Sequence, residues 1–173
     1  MNNMSLESVK EHFKKWNREK DVMEFDSVSA TVDQAADTIG VAPERIAKTL
    51  SFRGKEDAAI LVVAAGDAKI DNKKFRNTFG FKARMLSAEE VVEQTGHVIG
   101  GVCPFGLANN LDVYLDESLK RFTTVFPACG SINSAIELNC DELFQYSEAK
   151  QWVDVCKGWQ HEETAEKEAV QNK

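Results

Sequence analysis

The sequence predicts an α+β domain, a mixed, mainly antiparallel sheet or partial barrel flanked by helices. Three observations carry that expectation. Helical and strand-like patterns intermingle without the regular β-α-β rhythm of a doubly wound parallel sheet. A strand-like Thr49-Leu50-Ser51-Phe52 is followed, across the polar turn Arg53 to Asp57, by the eight-residue apolar run Ala58 to Ala65. Further short strand patterns cluster in the second half of the chain. At 173 residues, with 43% apolar and 28% charged side chains, the chain is long enough to bury one core without staples and short for two.

Each element has a local reason. Leu6, Val9, Phe13 and Trp16 recur at spacings of three and four and predict a helix from Ser5 to Arg18. Met23 to Phe25 reads as a short strand. Thr31 with Gln34 forms a capping-box pair for a helix that stops at Gly40. Pro43 suits the first turn of a short helix, Pro43 to Ala47. The chain leaves that helix at Lys48 and enters the hairpin, with the apolar run as the central, doubly covered strand. Asp71 caps a helix from Asn72 to Phe79, ended by Gly80. Ala83 to Leu86 reads as a strand, and Ser87 with Glu90 opens a helix closed by Gly96. Strands fit Asp112 to Leu115, Thr123 to Phe126 and Ile132 to Leu138. A helix from Asp141 to Tyr146 and a strand from Trp152 to Val155 complete a single domain over residues 1–159, leaving 160–173 as a charged, disordered tail.

Composition narrows function. The longest apolar run is well short of the roughly 18 to 20 residues of a membrane-spanning helix, and no signal-peptide pattern occurs, so the expected compartment is the cytoplasm, with no membrane partner. A net charge of -7 argues against general affinity for nucleic acid. Lys69, Lys73, Lys74, Arg76, Lys82 and Arg84, against the single acid Asp71, nevertheless form a basic stretch that is either a phosphate-docking face or a solvated helix surface. Cys103, Cys129, Cys140 and Cys156 contain no C-x-x-C pair, and with one plausible histidine in the body no metal is expected. Gly100, Gly101 and Gly106 do not fit G-x-G-x-x-G and no Walker lysine follows, so no cofactor is expected.

Two groups of residues could carry chemistry. Cys103 lies six positions after His97 in a Gly- and Pro-rich loop, and an imidazole-activated thiolate there would make a thiol hydrolase; a packed loop thiol is the other reading. Lys48 stands where a long cation can be held against a cleft, or simply be a surface lysine. A lysine beside a loop of uncovered backbone N–H groups suits a substrate with a phosphate and a carbonyl to be polarised.

The Lys48-Thr49-Leu50 triplet, the block Gly100-Gly101-Val102-Cys103-Pro104-Phe105-Gly106 with its GxxxP core, and Thr123-Thr124-Val125-Phe126 through Gly130 to Ile136-Glu137-Leu138 occur in one order and spacing. Over residues 5–157 this sequence resembles the YbaK/ProX aminoacyl-tRNA deacylases, which also occur as an editing domain inserted in bacterial prolyl-tRNA synthetases. The resemblance implies hydrolysis, in trans, of a wrong amino acid from the 3′ end of a tRNA, with tRNA(Pro) the expected tRNA and a prolyl-tRNA synthetase a candidate partner. It implies Lys48 as the signature active-site residue. It also implies a pocket lined by Gly100, Gly101, Val102, Cys103, Pro104, Phe105 and Gly106 with His97, Gly130 and Ser131. Hydrolysis would use positioned water helped by the tRNA's own ribose hydroxyl. A tRNA-binding module that has lost hydrolysis is the alternative from another class. Cys103 stands where small polar residues such as serine are common in the family, and Ala135 where some cysteine-removing members carry aspartate, so the amino acid removed stays open.

Overall fold

The computed structural model describes residues 4–160. The predicted tail, apart from Gln160, lies outside the described residues. In chain order the elements are α1 (Met4–Phe13), β1 (Met23–Glu24), α2 (Val32–Ile39), β2 (Ile46–Arg53), β3 (Ala59–Ala65), β4 (Lys69–Ile70), α3 (Asn72–Phe79), α4 (Ala88–Thr95), β5 (Asp112–Asp116), β6 (Phe126–Pro127), β7 (Ser134–Ala135), α5 (Cys140–Ser147), β8 (Gln151–Val153) and β9 (Cys156–Lys157).

The largest sheet has the order β6-β2-β3-β5-β8, with β3 at its centre. All seven β3 residues are buried, which is why that strand reads as an unbroken apolar run. Full burial of each of its larger side chains contributes about 1.5 to 3 kcal/mol. β2 and β3 form the predicted antiparallel hairpin, Lys48 opposite Ala64 and Phe52 opposite Ile60. The mixed α+β class therefore holds. Within this sheet the long β2–β3 hairpin is antiparallel while β2–β6, β3–β5 and β5–β8 pair parallel, and the two small sheets, β1–β7 and β4–β9, are antiparallel. The reason is connectivity: each of β5, β6 and β8 returns to the sheet after a long excursion, as parallel pairing requires. The sheet is open, ending at β6 and β8.

Helices pack where their apolar spacing points. α1 buries Leu6, Val9 and Phe13, and the Phe13 ring lies 4.7 Å from that of Phe105, a pairing of about 0.5 to 1.5 kcal/mol beyond burial. Phe75 of α3 meets Phe52 of β2 at 4.9 Å. The predicted capping boxes at Thr31 and Ser87 are both formed, as is the Asp71 cap.

Several boundaries move. α1 ends at Phe13, followed by a 3-10 turn over Lys14–Trp16, because Asn17 adopts the left-handed conformation (φ 59°) that terminates helices. The helix expected over Pro43 to Ala47 is one 3-10 turn, Pro43–Arg45, because β-branched Ile46 pairs with Phe126 instead. Ala83 to Leu86 reduces to a single bridge, Phe52 to Met85. The strands expected at 123–126 and 132–138 shrink to β6 and β7 with isolated bridges Val125–Leu138 and Ala128–Ala135; Pro127 has no N–H with which to extend a ladder. Among the described residues no helix is long and apolar enough to cross a membrane.

Candidate active site

β2 is the floor of the site, and its edge is bare at one place. On the edge away from β3 it pairs with β6 at Ile46 and Ala47. Farther along, Arg53 N–H donates to Arg84 O at 2.8 Å and Leu86 N–H to Ser51 O at 3.1 Å. Main-chain groups alternate along a strand, so those of Ala47, Thr49, Ser51 and Arg53 face this edge. Those of Thr49 fall between the two pairings and, among the described residues, meet no strand there. The Thr49 hydroxyl is likewise buried without a hydrogen-bond partner among the described residues.

A cavity of about 290 Å³ covers this gap. Its walls are mostly apolar, from α2 (Val32, Ala35, Ile39), Val91 of α4, and Phe126, Ala128 and Ala135 on the β6–β7 segment. Its polar groups are Ser29, Thr31, Lys48, Thr49, Ser51 and Ser134, and among the described residues no carboxylate or imidazole lines it. Lys48 and the loop residues Gly100 and Val102 therefore share one chamber.

Lys48 is a residue of β2 proper and not a helix-to-strand junction. Its ammonium donates to Gly66 O at 3.3 Å and to Ala68 O, at the turn after β3. Burial pushes its pKa below the ordinary lysine value, since a desolvated ammonium loses hydration.

The loop residues divide. Gly100 lines the cavity with φ +90°, a conformation in which a side chain is strained, and a Cβ there would press on Ala30 Cβ at 3.0 Å. The amides of Gly100 and Val102 donate to no carbonyl among the described residues, whereas Gly101 N–H donates to Val98 O. Gly101 is buried against the 130–131 turn: Gly130 N–H donates to its carbonyl at 3.0 Å, and a Cβ on Gly101 would sit 2.6 Å from the Ser131 nitrogen. Ser131 reaches the cavity only through Ser134, whose hydroxyl lies 2.6 Å from its own. Cys103, Pro104 and Phe105 are buried, and Pro104 and Gly106 border a different, polar hollow beside His12 and Asn109. Of the residues expected to form the pocket, Lys48, Gly100 and Val102 line it, while Gly101, Cys103, Pro104, Phe105, Gly106, His97, Gly130 and Ser131 support it or lie elsewhere.

Cys103 and His97 do meet, Sγ to Nε2 at 3.5 Å, but both are fully buried and neither lines the cavity. The Phe105 carbonyl, 2.7 Å from Nε2, can only accept, so Nε2 carries the proton and Nδ1 accepts from the Ser5 hydroxyl at 2.6 Å. That imidazole has no lone pair to offer the thiol, whose pKa burial pushes up to about 12. The pair is packing, not a nucleophile and base.

The basic residues form a face of their own. Lys74 is tied to Asp154 (3.1 Å) and to Cys156 O. Lys73, Arg76 and Lys82 border one shallow hollow, and Lys82 and Arg84 border the next. Lys69 lies directly across from Lys157 in the β4–β9 pair. Sequence reasoning missed Ala30, Thr31, Met85, Phe126, Ala128 and Ser134 as cavity residues. The capping box marked Thr31 as a helix start, and nothing local showed that this start abuts Gly100.

Among known proteins, the chain is 71% identical over 157 residues to "Uncharacterized protein YwhH" of Bacillus subtilis, covering 91% of this chain and all of that one. It is 28% identical over 109 residues to "Putative Cys-tRNA(Pro)/Cys-tRNA(Cys) deacylase EbsC" of Enterococcus faecalis, covering 62% of this chain and 66% of that one. A solved structure, "Crystal structure of a putative trans-editing enzyme for prolyl tRNA synthetase", superposes with a TM-score of 0.81 at 30% identity, covering 91% of this chain and all of that one. The family model for the aminoacyl-tRNA editing domain matches residues 26–146, which include β2, the Gly100 loop and the β6–β7 segment, and the chain belongs to that family.

Proposed function

We propose that the protein is a deacylase that hydrolyses, in trans, the ester of a mischarged aminoacyl-tRNA, with tRNA(Pro) as its tRNA. The observation that carries this reading is that Lys48 and the uncommitted amides of Gly100 and Val102 border one mostly apolar chamber that has no carboxylate or imidazole on its wall among the described residues. An aminoacyl ester is already activated, so positioning and charge stabilisation suffice. Water, assisted by the neighbouring ribose hydroxyl of the substrate, attacks the carbonyl carbon. The loop amides donate to the oxyanion, and the ester oxygen leaves on the ribose with the proton. Lys48 fixes the terminal nucleoside or the aminoacyl group. A chamber walled by Val32, Ala35, Val102 and Ala135 tests the amino-acid side chain by size, and as an apolar sieve it separates neighbours differing by one methylene by about 1 to 3 kcal/mol.

The test is release of labelled amino acid from Ala-, Cys-, Ser-, Thr- and Pro-tRNA. Lys48→Ala is expected to lower kcat/KM at least about 100-fold, the scale of removing one preorganised electrostatic partner of the reacting group. Cys103→Ala should leave release essentially intact. Because the Lys48 pKa is lowered, the wild-type rate should also fall at alkaline pH with a midpoint below 10.5, after subtraction of spontaneous hydrolysis, and Lys48→Arg should remove that limb. Release unchanged by Lys48→Ala would refute the reading. Stoichiometric tRNA binding without release would identify a non-catalytic module.

A further inference from the structure

The chain is acidic overall, and ten of its lysine and arginine side chains face an acid within ion-pair distance. Lys73, Arg76, Lys82 and Arg84 do not: all four are exposed and none has an acidic partner among the described residues. They are contiguous in space. Lys73, Arg76 and Lys82 border a hollow of about 420 Å³, and Lys82 and Arg84 border a second of about 350 Å³ that Lys55 joins. Asp71, the one acid of this stretch, accepts from the amides of Lys73 and Lys74 at the start of α3.

The direction of this track matters. Arg84 is pinned to β2 through its carbonyl, and the next residue, Met85, 59% exposed, bridges Phe52 and lines the cavity. The row of unpaired cations thus ends at Arg84, one residue before a side chain that lines the chamber. Beside it, Lys69 opposes Lys157 across β4–β9, a like-charge placement that Lys157's attraction to Asp71 offsets in part.

We propose that Lys73, Arg76, Lys82 and Arg84 form a docking track for the sugar-phosphate backbone of a tRNA acceptor end, delivering its 3′ terminus past Met85 into the cavity. This rests on the editing reading for the identity of the RNA, and extends it by assigning the surface that holds the backbone. On a molecule of net charge -7, such a local field is what overcomes long-range repulsion of RNA.

The test is binding of an uncharged tRNA(Pro) transcript to the full chain as a function of salt, which needs no hydrolysis. Replacing Lys73, Arg76, Lys82 and Arg84 together by Gln is expected to weaken binding about tenfold or more at low salt. It should also flatten the dependence of log K on log salt by about 3, at roughly 0.7 to 0.9 for each phosphate that the variant no longer neutralises. Lys20→Gln, an exposed lysine with no acidic partner among the described residues, should change neither. Unchanged affinity and slope in the fourfold variant would overturn the track. So would wild-type binding to phosphatidylserine vesicles with none to tRNA. A wild type that binds tRNA through these residues but releases no amino acid sinks the deacylase and supports the track.

Discussion

Among the described residues, Thr49 carries an unpartnered hydroxyl together with a main-chain N–H and C=O that meet no strand on their edge. A buried polar group left unpaired costs about 1 to 3 kcal/mol, which a ligand that supplies the missing partner recovers. Thr49→Val keeps shape and deletes the hydroxyl. The expected outcome is a Tm equal to or above wild type, because no protein hydrogen bond is removed. The kcat/KM on aminoacyl-tRNA should fall about 2- to 12-fold, the value of one neutral hydrogen bond, and Thr49→Ser should restore it. A lowered Tm with unaltered kinetics would make the hydroxyl structural. Thr49 sits in the Lys48-Thr49-Leu50 triplet and was legible as a motif member. Its role as the bare point of an edge was not, because that depends on where β6 stops and residues 84–86 begin.

Among the elements, legibility follows the range of the interactions that make them. Helix starts and stops are written within four residues, and the caps at Thr31, Asp71, Ser87 and the stops at Gly40, Gly80 and Gly96 stand where the sequence puts them. β6, β7 and β9 are two residues each, paired with partners far along the chain, so no local periodicity could fix them. The 100–106 loop shows both sides of this. Its glycines announced a tight bend, but only packing reveals that Gly100 faces the cavity while Gly101 is pressed on the 130–131 turn. Gly101→Ala places a methyl 2.6 Å from the Ser131 nitrogen, where backbone must give way. We expect a Tm lower by several degrees, corresponding to about 1 to 3 kcal/mol for overpacking, and loss of deacylation as Gly100 and Ser134 are displaced from the cavity wall. An Ala variant with wild-type Tm and activity would show that the two turns are not rigidly joined.

At the scale of the whole molecule, two imidazoles tie α1 to the rest of the fold. His97 joins Ser5 to the Phe105 carbonyl, and His12 donates to Tyr146 O at 2.6 Å. Burial lowers the pKa of both below the ordinary 6.5. Between that value and the lowered one the unfolded chain holds more protons than the folded chain, so stability falls as pH drops through this window. Asp71 and Glu90 act in a lower range: their pKa values are depressed, chiefly by backbone hydrogen bonds, and the stability they contribute is lost only below their ordinary values of 3.8 and 4.5. Urea unfolding at about pH 7 and about pH 5, on either side of the ordinary histidine value, therefore isolates the imidazoles. Wild type should lose midpoint concentration between the two, His97→Gln should lose less, and His97→Gln with His12→Gln least, whatever their absolute stabilities at neutral pH. A double variant whose midpoint falls as steeply as wild type would mean that acid sensitivity originates in other groups, and that the α1 clasp is indifferent to protonation.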